Sequence, residues 1–99
     1  MAIVLNRVNR FRDRDAERLF NGQPVRRLPG DIQRRGRMRL QRVVAATVLS
    51  DLRVPPSHRL QALRGDRRGQ HSVRINDQWR ICFRWTEQGA TEIEIVDYH

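Results

Sequence analysis

The stretch Trp79-Arg80-Ile81-Cys82-Phe83-Arg84-Trp85 decides how this sequence is expected to fold. Large apolar side chains stand at every second position, and Arg80, Cys82 and Arg84 stand between them. Strict alternation with a period of two is typical of a β-strand that buries one face and leaves the other open. The stretch therefore predicts a sheet with an apolar face toward the core and an arginine-bearing face away from it.

The next predicted strand covers 90–96 and adds Ile93 and Ile95 to the apolar face. Between the two strands, Glu87-Gln88-Gly89 suits a three-residue hairpin loop with Gly89 in the left-handed conformation. The register that follows has Thr86 opposite Ala90, Phe83 opposite Ile93, Arg84 opposite Glu92 and Arg80 opposite Val96. Tyr98 then emerges on the same face as Arg80, one step beyond Val96.

The hairpin before Trp79 gives two conflicting signals. Asn76-Asp77 is typical of a two-residue turn, but that register would place Val73 and Ile75 on the arginine-bearing face. Pairing Ile75 with Trp79 around a three-residue loop keeps the apolar side chains of strand 71–75 together with the others. Because a slip of one residue would expose the whole strand, the hydrophobic pattern favours this second register.

The N-terminal half predicts two helices. Asp13 or Asp15 caps the first helix, and Asn21-Gly22 ends it. The second helix begins at Asp31, and its apolar positions recur at the spacing of one helical face: Ile32, Gly36, Leu40, Val43 and Thr47. After a short turn at 50–53, which Pro55-Pro56 stops, the pattern changes to strands.

Two further strands are predicted, one over Arg59–Leu63 and one over Met1–Val8 at the edge of the sheet. The fold class that follows is α+β, with two N-terminal helices packed on a twisted antiparallel sheet of three to five strands. At 99 residues, the chain is expected to form one domain, 1–99.

The charge balance favours a polyanionic partner, since 20 basic residues stand against 11 acidic ones and the basic residues are arginines. Arginine binds phosphate with two parallel hydrogen bonds and stacks on bases, so nucleic acid fits better than a membrane surface. An arginine-rich composition inherited from a GC-rich genome is the alternative, and it applies most to arginines on helix surfaces.

Several classes are disfavoured by what the sequence lacks. It has no apolar run near 18 residues and no basic leader, so a soluble cytoplasmic protein is expected. Cys82 is the only cysteine, and His58, His71 and His99 lack the spacing of metal ligands. We therefore expect no metal and no cofactor.

Asp97-Tyr98-His99 follows the last strand and brings together a carboxylate, a phenol and an imidazole. Such a set is suited to general acid–base chemistry, although polar chain ends without any function are also common.

Three motifs in order resemble those of the HigB-type toxins, the plasmid-maintenance killer proteins of the RelE/ParE superfamily. They are Arg59-Leu60-Gln61-Ala62-Leu63-Arg64-Gly65-Asp66-Arg67-Arg68-Gly69, Arg74-Ile75-Asn76-Asp77-Gln78-Trp79-Arg80-Ile81 and Val96-Asp97-Tyr98-His99. The resemblance covers Leu52–His99. It implies two helices on an antiparallel sheet, ribosome-dependent cleavage of mRNA, and inhibition by a HigA-like helix-turn-helix antitoxin encoded beside the toxin.

The resemblance also assigns roles to single residues. It implies that Asp97, Tyr98, His99 and Arg80 are catalytic, and that Arg64 assists them. From their positive charge, we expect RNA to be bound by Arg64, Arg67, Arg68, Arg74 and Arg84. Several family members carry a histidine where this sequence has Gln61, and His58 lies three positions away. The alternative for Arg80 is a structural ion pair with Glu94, and Asp66 is expected to form a turn.

The expected chemistry is cleavage without a metal, in which the substrate's own 2′-hydroxyl attacks the adjacent phosphate. A base removes the hydroxyl proton, an acid protonates the leaving 5′-oxygen, and a cation stabilises the charge that develops. His99 or Asp97 is the expected base or acid, and His99 has the ordinary pKa of a base near neutral pH. Arg80 is the expected cation, with Arg64 assisting it, and Tyr98 is expected to position the substrate or to stack on a base.

Two other functions remain open at this point. The same superfamily includes toxins that bind DNA gyrase and cut nothing, and charge alone would suffice for a non-catalytic RNA- or DNA-binding module. Primer extension on translated mRNA distinguishes both from an endonuclease.

Overall fold

The computed structural model describes residues 10–98, so the predicted strand at Met1–Val8 and the side chain of His99 lie outside the described residues. The elements are α1 (Arg14–Phe20), α2 (Gly30–Ala45), β1 (Gln61–Ala62), β2 (Gln70–Arg74), β3 (Trp79–Thr86) and β4 (Gly89–Asp97). Short 3₁₀ turns cover Leu49–Arg53, Pro56–His58 and Gly65–Arg67. The four strands form one antiparallel sheet in the order β1-β2-β3-β4. Two helices and an antiparallel sheet confirm the α+β prediction.

The β2–β3 hairpin has the register that the hydrophobic pattern favoured. Val73 lies opposite Ile81 and Arg74 opposite Arg80, and the Ile75 amide donates to the Trp79 carbonyl at 2.9 Å. The side chain of Asn76 accepts hydrogen bonds from the amides of Gln78 and Trp79, so it closes the three-residue loop. Burial of the strand therefore outweighs the two-residue turn that Asn76-Asp77 suggests.

The β3–β4 hairpin corrects part of the predicted register. The loop has two residues rather than three, because Thr86 lies opposite Gly89 and Arg84 opposite Thr91. One extra residue then enters β4 near Glu92, whose φ is 51°, and this bulge shifts the register between Cys82 and Arg84. Beyond the bulge Arg80 lies opposite Val96, as predicted. The shorter loop and the bulge offset each other, so only the pairs near the turn were wrong.

The helices lie against the apolar face of the sheet. Leu19, Leu40 and Val43 are buried in one core with Ile81 and Phe83. Gly36 allows α1 and α2 to approach closely, since a Cβ there would stand 3.1 Å from Leu19. Among residues 10–98, no helix is long and apolar enough to cross a membrane.

The predicted bounds of two elements, the second helix and the first strand, were wrong. The second helix begins at Gly30 and ends at Ala45, so Thr47 is an exposed residue beyond it. The first strand is limited to Gln61–Ala62, because Pro56–His58 forms a 3₁₀ turn and Arg59 adopts a left-handed backbone with φ 46°. Proline and a left-handed residue both interrupt extended pairing.

Asp13 joins three parts of the fold through one carboxylate. Its Oδ1 caps α1 by accepting from the Asp15 amide at 2.8 Å. Its Oδ2 accepts from Arg27 at 2.6 Å and from the Ile95 amide of β4 at 3.1 Å. The side chain thus fixes the position of α1 relative to the edge of the sheet.

We predict that Asp13→Ala lowers the free energy of unfolding by about 2–3 kcal/mol, because it removes a helix cap and leaves the Ile95 amide without its acceptor. Asp31→Ala is the control, since Asp31 lies in the first turn of α2 and no side chain caps that helix. Its expected loss is below about 1 kcal/mol. Urea denaturation followed by tryptophan fluorescence measures both, and equal losses would contradict the prediction.

Candidate active site

The face of the sheet turned away from the helices carries polar side chains from three strands. Strand alternation and the observed register place on it Ser72 and Arg74 from β2, Arg80, Cys82 and Arg84 from β3, and Glu94 and Val96 from β4. We call this surface the arginine face. It contains Arg80, Cys82 and Arg84, which the alternation at 79–85 predicted, and the alternation of the last strand also predicts Glu94 and Val96 on it.

Arg80 lies near the centre of the arginine face and is only 9% exposed. Its Nε donates to the Ser72 hydroxyl at 2.8 Å, and its Nη2 donates to the Arg59 carbonyl at 2.9 Å. The left-handed backbone of Arg59 presents that carbonyl. Burial lowers the pKa of Arg80 from its ordinary value, with nearby Tyr98 acting in the opposite direction. The two hydrogen bonds fix the plane of a largely desolvated guanidinium.

Tyr98 lies beside Arg80 on the arginine face, with the guanidinium carbon 5.7 Å from the ring centroid. This separation is typical of a cation–π contact. The tyrosine is 42% exposed, and its backbone amide donates to the Gln78 carbonyl. The backbone of Tyr98 is therefore fixed by a hydrogen bond and its ring by Arg80, while part of the ring stays accessible to a ligand.

Asp97 is not brought into the group with Arg80 and Tyr98. It lies opposite Trp79, so strand alternation directs it to the other side of β4 from Tyr98. Its carboxylate accepts from the Gln78 side chain at 3.2 Å. Of the three predicted residues at the chain end, Tyr98 lies next to Arg80, Asp97 lies on the opposite side, and His99 is outside the described residues.

Arg67 reaches across the arginine face to Glu94, a contact that the sequence analysis missed. Its Nη1 donates to Glu94 Oε2 and to Gln70 Oε1, both at 3.0 Å. The hydrogen bond with Glu94 raises the pKa of Arg67. Arg12 stands 3.7 Å from the same carboxylate. The ion pair considered as an alternative role for Arg80 is thus made by Arg67, and the position of Glu94 opposite Cys82 was the available signal.

Of the other arginines predicted to bind RNA, Arg74 and Arg84 lie on the arginine face, and Arg64 and Arg68 lie at the turn before β2. Arg64 and Arg68 are exposed on either side of the turn Gly65–Arg67, which contains Asp66 as expected. Arg74 forms an ion pair with Asp77, and Arg84 lies 3.4 Å from Glu92. Exposed pairs of this kind contribute little to stability, so both arginines can exchange a carboxylate for a phosphate.

No histidine described by the structure takes the place that Gln61 leaves open. Gln61 lies opposite Ser72 and is exposed at the edge of the sheet. His58 is 2% exposed, and its Nδ1 lies 3.2 Å from the Leu52 carbonyl. Burial lowers the pKa of His58, which favours the neutral imidazole. His71 stacks on Phe83, on the apolar face.

Within residues 10–98, no three His, Cys, Asp or Glu side chains are grouped as metal ligands.

Cys82 forms the floor of the arginine face and is fully buried. Burial raises the pKa of its thiol to about 11, and Glu94 acts in the same direction, while Arg67 and Arg80 oppose the shift. The thiol is therefore protonated at neutral pH and acts as a packing residue between the two arginines.

The fold and this face together define a small α+β protein with a fixed, nearly buried arginine beside a partly exposed aromatic ring. Comparison with known proteins agrees: residues 9–99 match the family described as the RelE-like toxin of the type II toxin–antitoxin system HigB. The chain belongs to this HigB-like toxin family. A type II toxin has an antitoxin as its protein partner.

Two curated relatives are similar over most of their length. One is "Toxin HigB-1" of Vibrio cholerae serotype O1, which is 35% identical over 78 residues, covering 78% of this chain and 82% of the relative. The other is "Endoribonuclease HigB" of Proteus vulgaris, which is 28% identical over 92 residues, covering 93% and 99%.

We predict that Cys82 reacts slowly with Ellman's reagent in the folded protein at pH 8. With a pKa of about 11, only ~0.1% of the thiol is ionised at that pH, and the thiolate is the reactive form. Because the thiol is fully buried, the reagent also reaches it only when the surrounding structure opens. The same chain in urea is the control, and it should react at least ~100-fold faster. Fast reaction of the folded protein at pH 8 would contradict the burial of this thiol.

Proposed function

We propose that this protein is an endoribonuclease that cuts mRNA on the ribosome and is neutralised by a HigA-like helix-turn-helix antitoxin. The observation that carries the proposal is Arg80, which is buried, held by Ser72 and Arg59, and stacked beside Tyr98. Membership of a toxin family and similarity to a relative named Endoribonuclease HigB support it.

Arg80 is suited to bind the phosphate at which cleavage occurs. A guanidinium has five N–H groups, and the bonds to Ser72 and Arg59 use two of them, which leaves three for a ligand. Because the group is already desolvated and oriented, it can stabilise charge developing on a phosphorane-like transition state without first reorganising. Its two fixed hydrogen bonds distinguish it from the exposed arginines around it.

Tyr98 is suited to hold a nucleotide next to that phosphate. The exposed part of its ring can stack on a base, and the stack on Arg80 fixes the ring's position relative to the cation. His99 is the proposed general acid or base, since an unperturbed imidazole titrates near neutral pH. Asp97, held by Gln78, has the secondary role of orienting the chain end.

The surrounding arginines provide the electrostatic part of RNA binding. Arg64 and Arg68 flank one turn, and the contact of Arg67 with Glu94 ties that turn to β4. The turn is therefore held at a fixed distance from Arg80. We propose that Arg64, Arg68, Arg74 and Arg84 bind flanking phosphates, whereas Arg67 holds the turn that positions the first two.

We predict that deleting His99 slows single-turnover cleavage on programmed ribosomes roughly 10²–10⁴-fold, the usual contribution of one acid–base group. Because β4 ends at Asp97, the melting temperature should stay within about 1 °C of the wild type, and ribosome affinity should hardly change. Unchanged cleavage would move the acid–base role to Asp97 or Tyr98. If the wild type binds ribosomes and mRNA without cutting either, a non-catalytic binding module becomes the better description.

We predict that Arg80→Lys reduces cleavage about 10²-fold while RNA affinity falls only a few-fold. Lysine keeps the charge, but its ammonium group cannot hydrogen-bond Ser72, Arg59 and a phosphate in one plane. The substitution should therefore reduce stabilisation of the transition state more than it reduces binding of the substrate. The lost buried hydrogen bond should cost about 1 kcal/mol of stability. Arg18→Lys, on an exposed arginine of α1, is the control and should leave cleavage unchanged. An equal effect of the two substitutions would remove Arg80 from the mechanism.

A further inference from the structure

A second basic surface lies on the outer side of α2. It is a groove of about 730 Å³ between this helix and the segment around Pro55. The lining residues on α2 recur at helical spacing and form a stripe along its axis: Asp31, Arg34, Arg35, Met38, Arg39, Gln41, Arg42 and Ala45. The stripe covers fifteen residues, which corresponds to about 21 Å or four helical turns. We call it the α2 groove.

The arginines of the α2 groove have no carboxylate partner in the described part of the chain. Arg35, Arg39 and Arg42 instead donate to the carbonyls of Ile75, Arg74 and Val54. Burial lowers the pKa of Arg39, and the positive charges of Arg35, Arg74 and Arg42 lower it further. Four arginines line the groove against one carboxylate, that of Asp31, so the groove carries a net positive charge that attracts an anionic partner.

Apolar surface accompanies these charges. Met38 is 54% exposed at the middle of the groove, and Ala45 and Pro55 also line it. Val54, which is 63% exposed, lies next to Pro55. A large exposed methionine between arginines is typical of a surface that binds another protein, because the thioether adapts to different apolar partners.

We propose that the α2 groove binds an acidic amphipathic helix of the antitoxin. This inference rests on the proposed function, which supplies an antitoxin as the partner. A helix of about four turns matches the length of the stripe, its apolar face can cover Met38 and Pro55, and its carboxylates can pair with Arg34, Arg35 and Arg42. One stripe of α2 would then provide both the charged contacts and the apolar surface that is buried on binding.

RNA fits the α2 groove less well than a protein helix does. The apolar surface around Met38 can form no hydrogen bond or ion pair with a ribose-phosphate backbone. The groove also lies on the helix-covered side of the sheet, whereas the arginine face is on the other side. The two surfaces therefore suit two different anionic partners.

The test uses the purified protein encoded by the reading frame next to this gene, titrated calorimetrically into the full chain at 150 mM salt. The groove variant combines Arg34→Glu with Met38→Ser, two exposed positions whose side chains make no hydrogen bond within the described residues. The control variant combines Arg18→Glu with Val48→Ser, which remove the same charge and a similar exposed apolar side chain outside the groove.

We expect the groove variant to weaken binding at least ~30-fold and the control variant no more than ~3-fold. Both should melt near the wild-type temperature and cut mRNA on programmed ribosomes at the wild-type rate. Arg34→Glu alone should give part of the loss, and that part should shrink at high salt because it is electrostatic.

Each other result has a definite meaning. If the neighbouring protein binds the wild type and the groove variant equally, the groove is not its docking site and the proposed function stands. If the groove variant loses mRNA cleavage but keeps the neighbouring protein, the groove is an RNA surface and the inference is overturned. If the wild type itself does not bind the neighbouring protein, the antitoxin assignment fails, and the docking site with it.

Discussion

One extra residue in β4 decides which side chains reach the arginine face. The two-residue loop between β3 and β4 sets Thr86 opposite Gly89, and this register, continued unchanged, would place Arg80 opposite Ile95. Ile95 would then lie among the arginines, and Tyr98 would lie under the helices. The bulge near Glu92 prevents this, because it returns Ile95 to the core and sends Tyr98 to the side of Arg80.

A left-handed φ of 51° at Glu92 costs of order 1 kcal/mol for a residue other than glycine. Burial of two isoleucines offsets that cost, since each fully buried aliphatic side chain contributes roughly 1.5–3 kcal/mol. Ile93 and Ile95 are 0% and 3% exposed. The hydrophobic core therefore holds the bulge in place, and the bulge in turn holds the candidate site. Substitutions in the core under β4 should affect the site by shifting the β3–β4 register, although the substituted residues do not touch the site.

The arginine face also depends on which groups hydrogen-bond to the buried guanidinium of Arg80. Arg80 has no carboxylate partner in the described structure and is held by a hydroxyl and a main-chain carbonyl. A neutral environment of this kind orients the guanidinium without cancelling its charge, whereas the carboxylate beside Arg67 largely does so. Arg67 and Arg80 thus differ in their surroundings, because Arg67 is paired with Glu94 and Arg80 is held by neutral groups alone.

The sequence predicted those features that depend on burying a whole strand or helix face. The Ile75–Trp79 pairing is one, because the two-residue turn at Asn76-Asp77 would expose Val73. It did not predict the two-residue loop or the bulge at Glu92, since these compensate and leave Arg80 opposite Val96 either way. The contact of Arg67 with Glu94 was missed because a long side chain crossing two strands leaves no periodic signal. The catalytic roles of Arg80, Asp97, Tyr98 and His99 stay predictions.

The position of Tyr98 has a practical consequence for protein engineering. Its amide is tied to Gln78 and its ring rests on Arg80, so the chain leaves the sheet directly over the arginine face. A purification tag or fluorescent protein joined beyond Tyr98 would therefore start beside the arginine face and crowd it. Such a fusion would produce a masked form of the protein, and a protease site placed in its linker would allow that form to be released on demand.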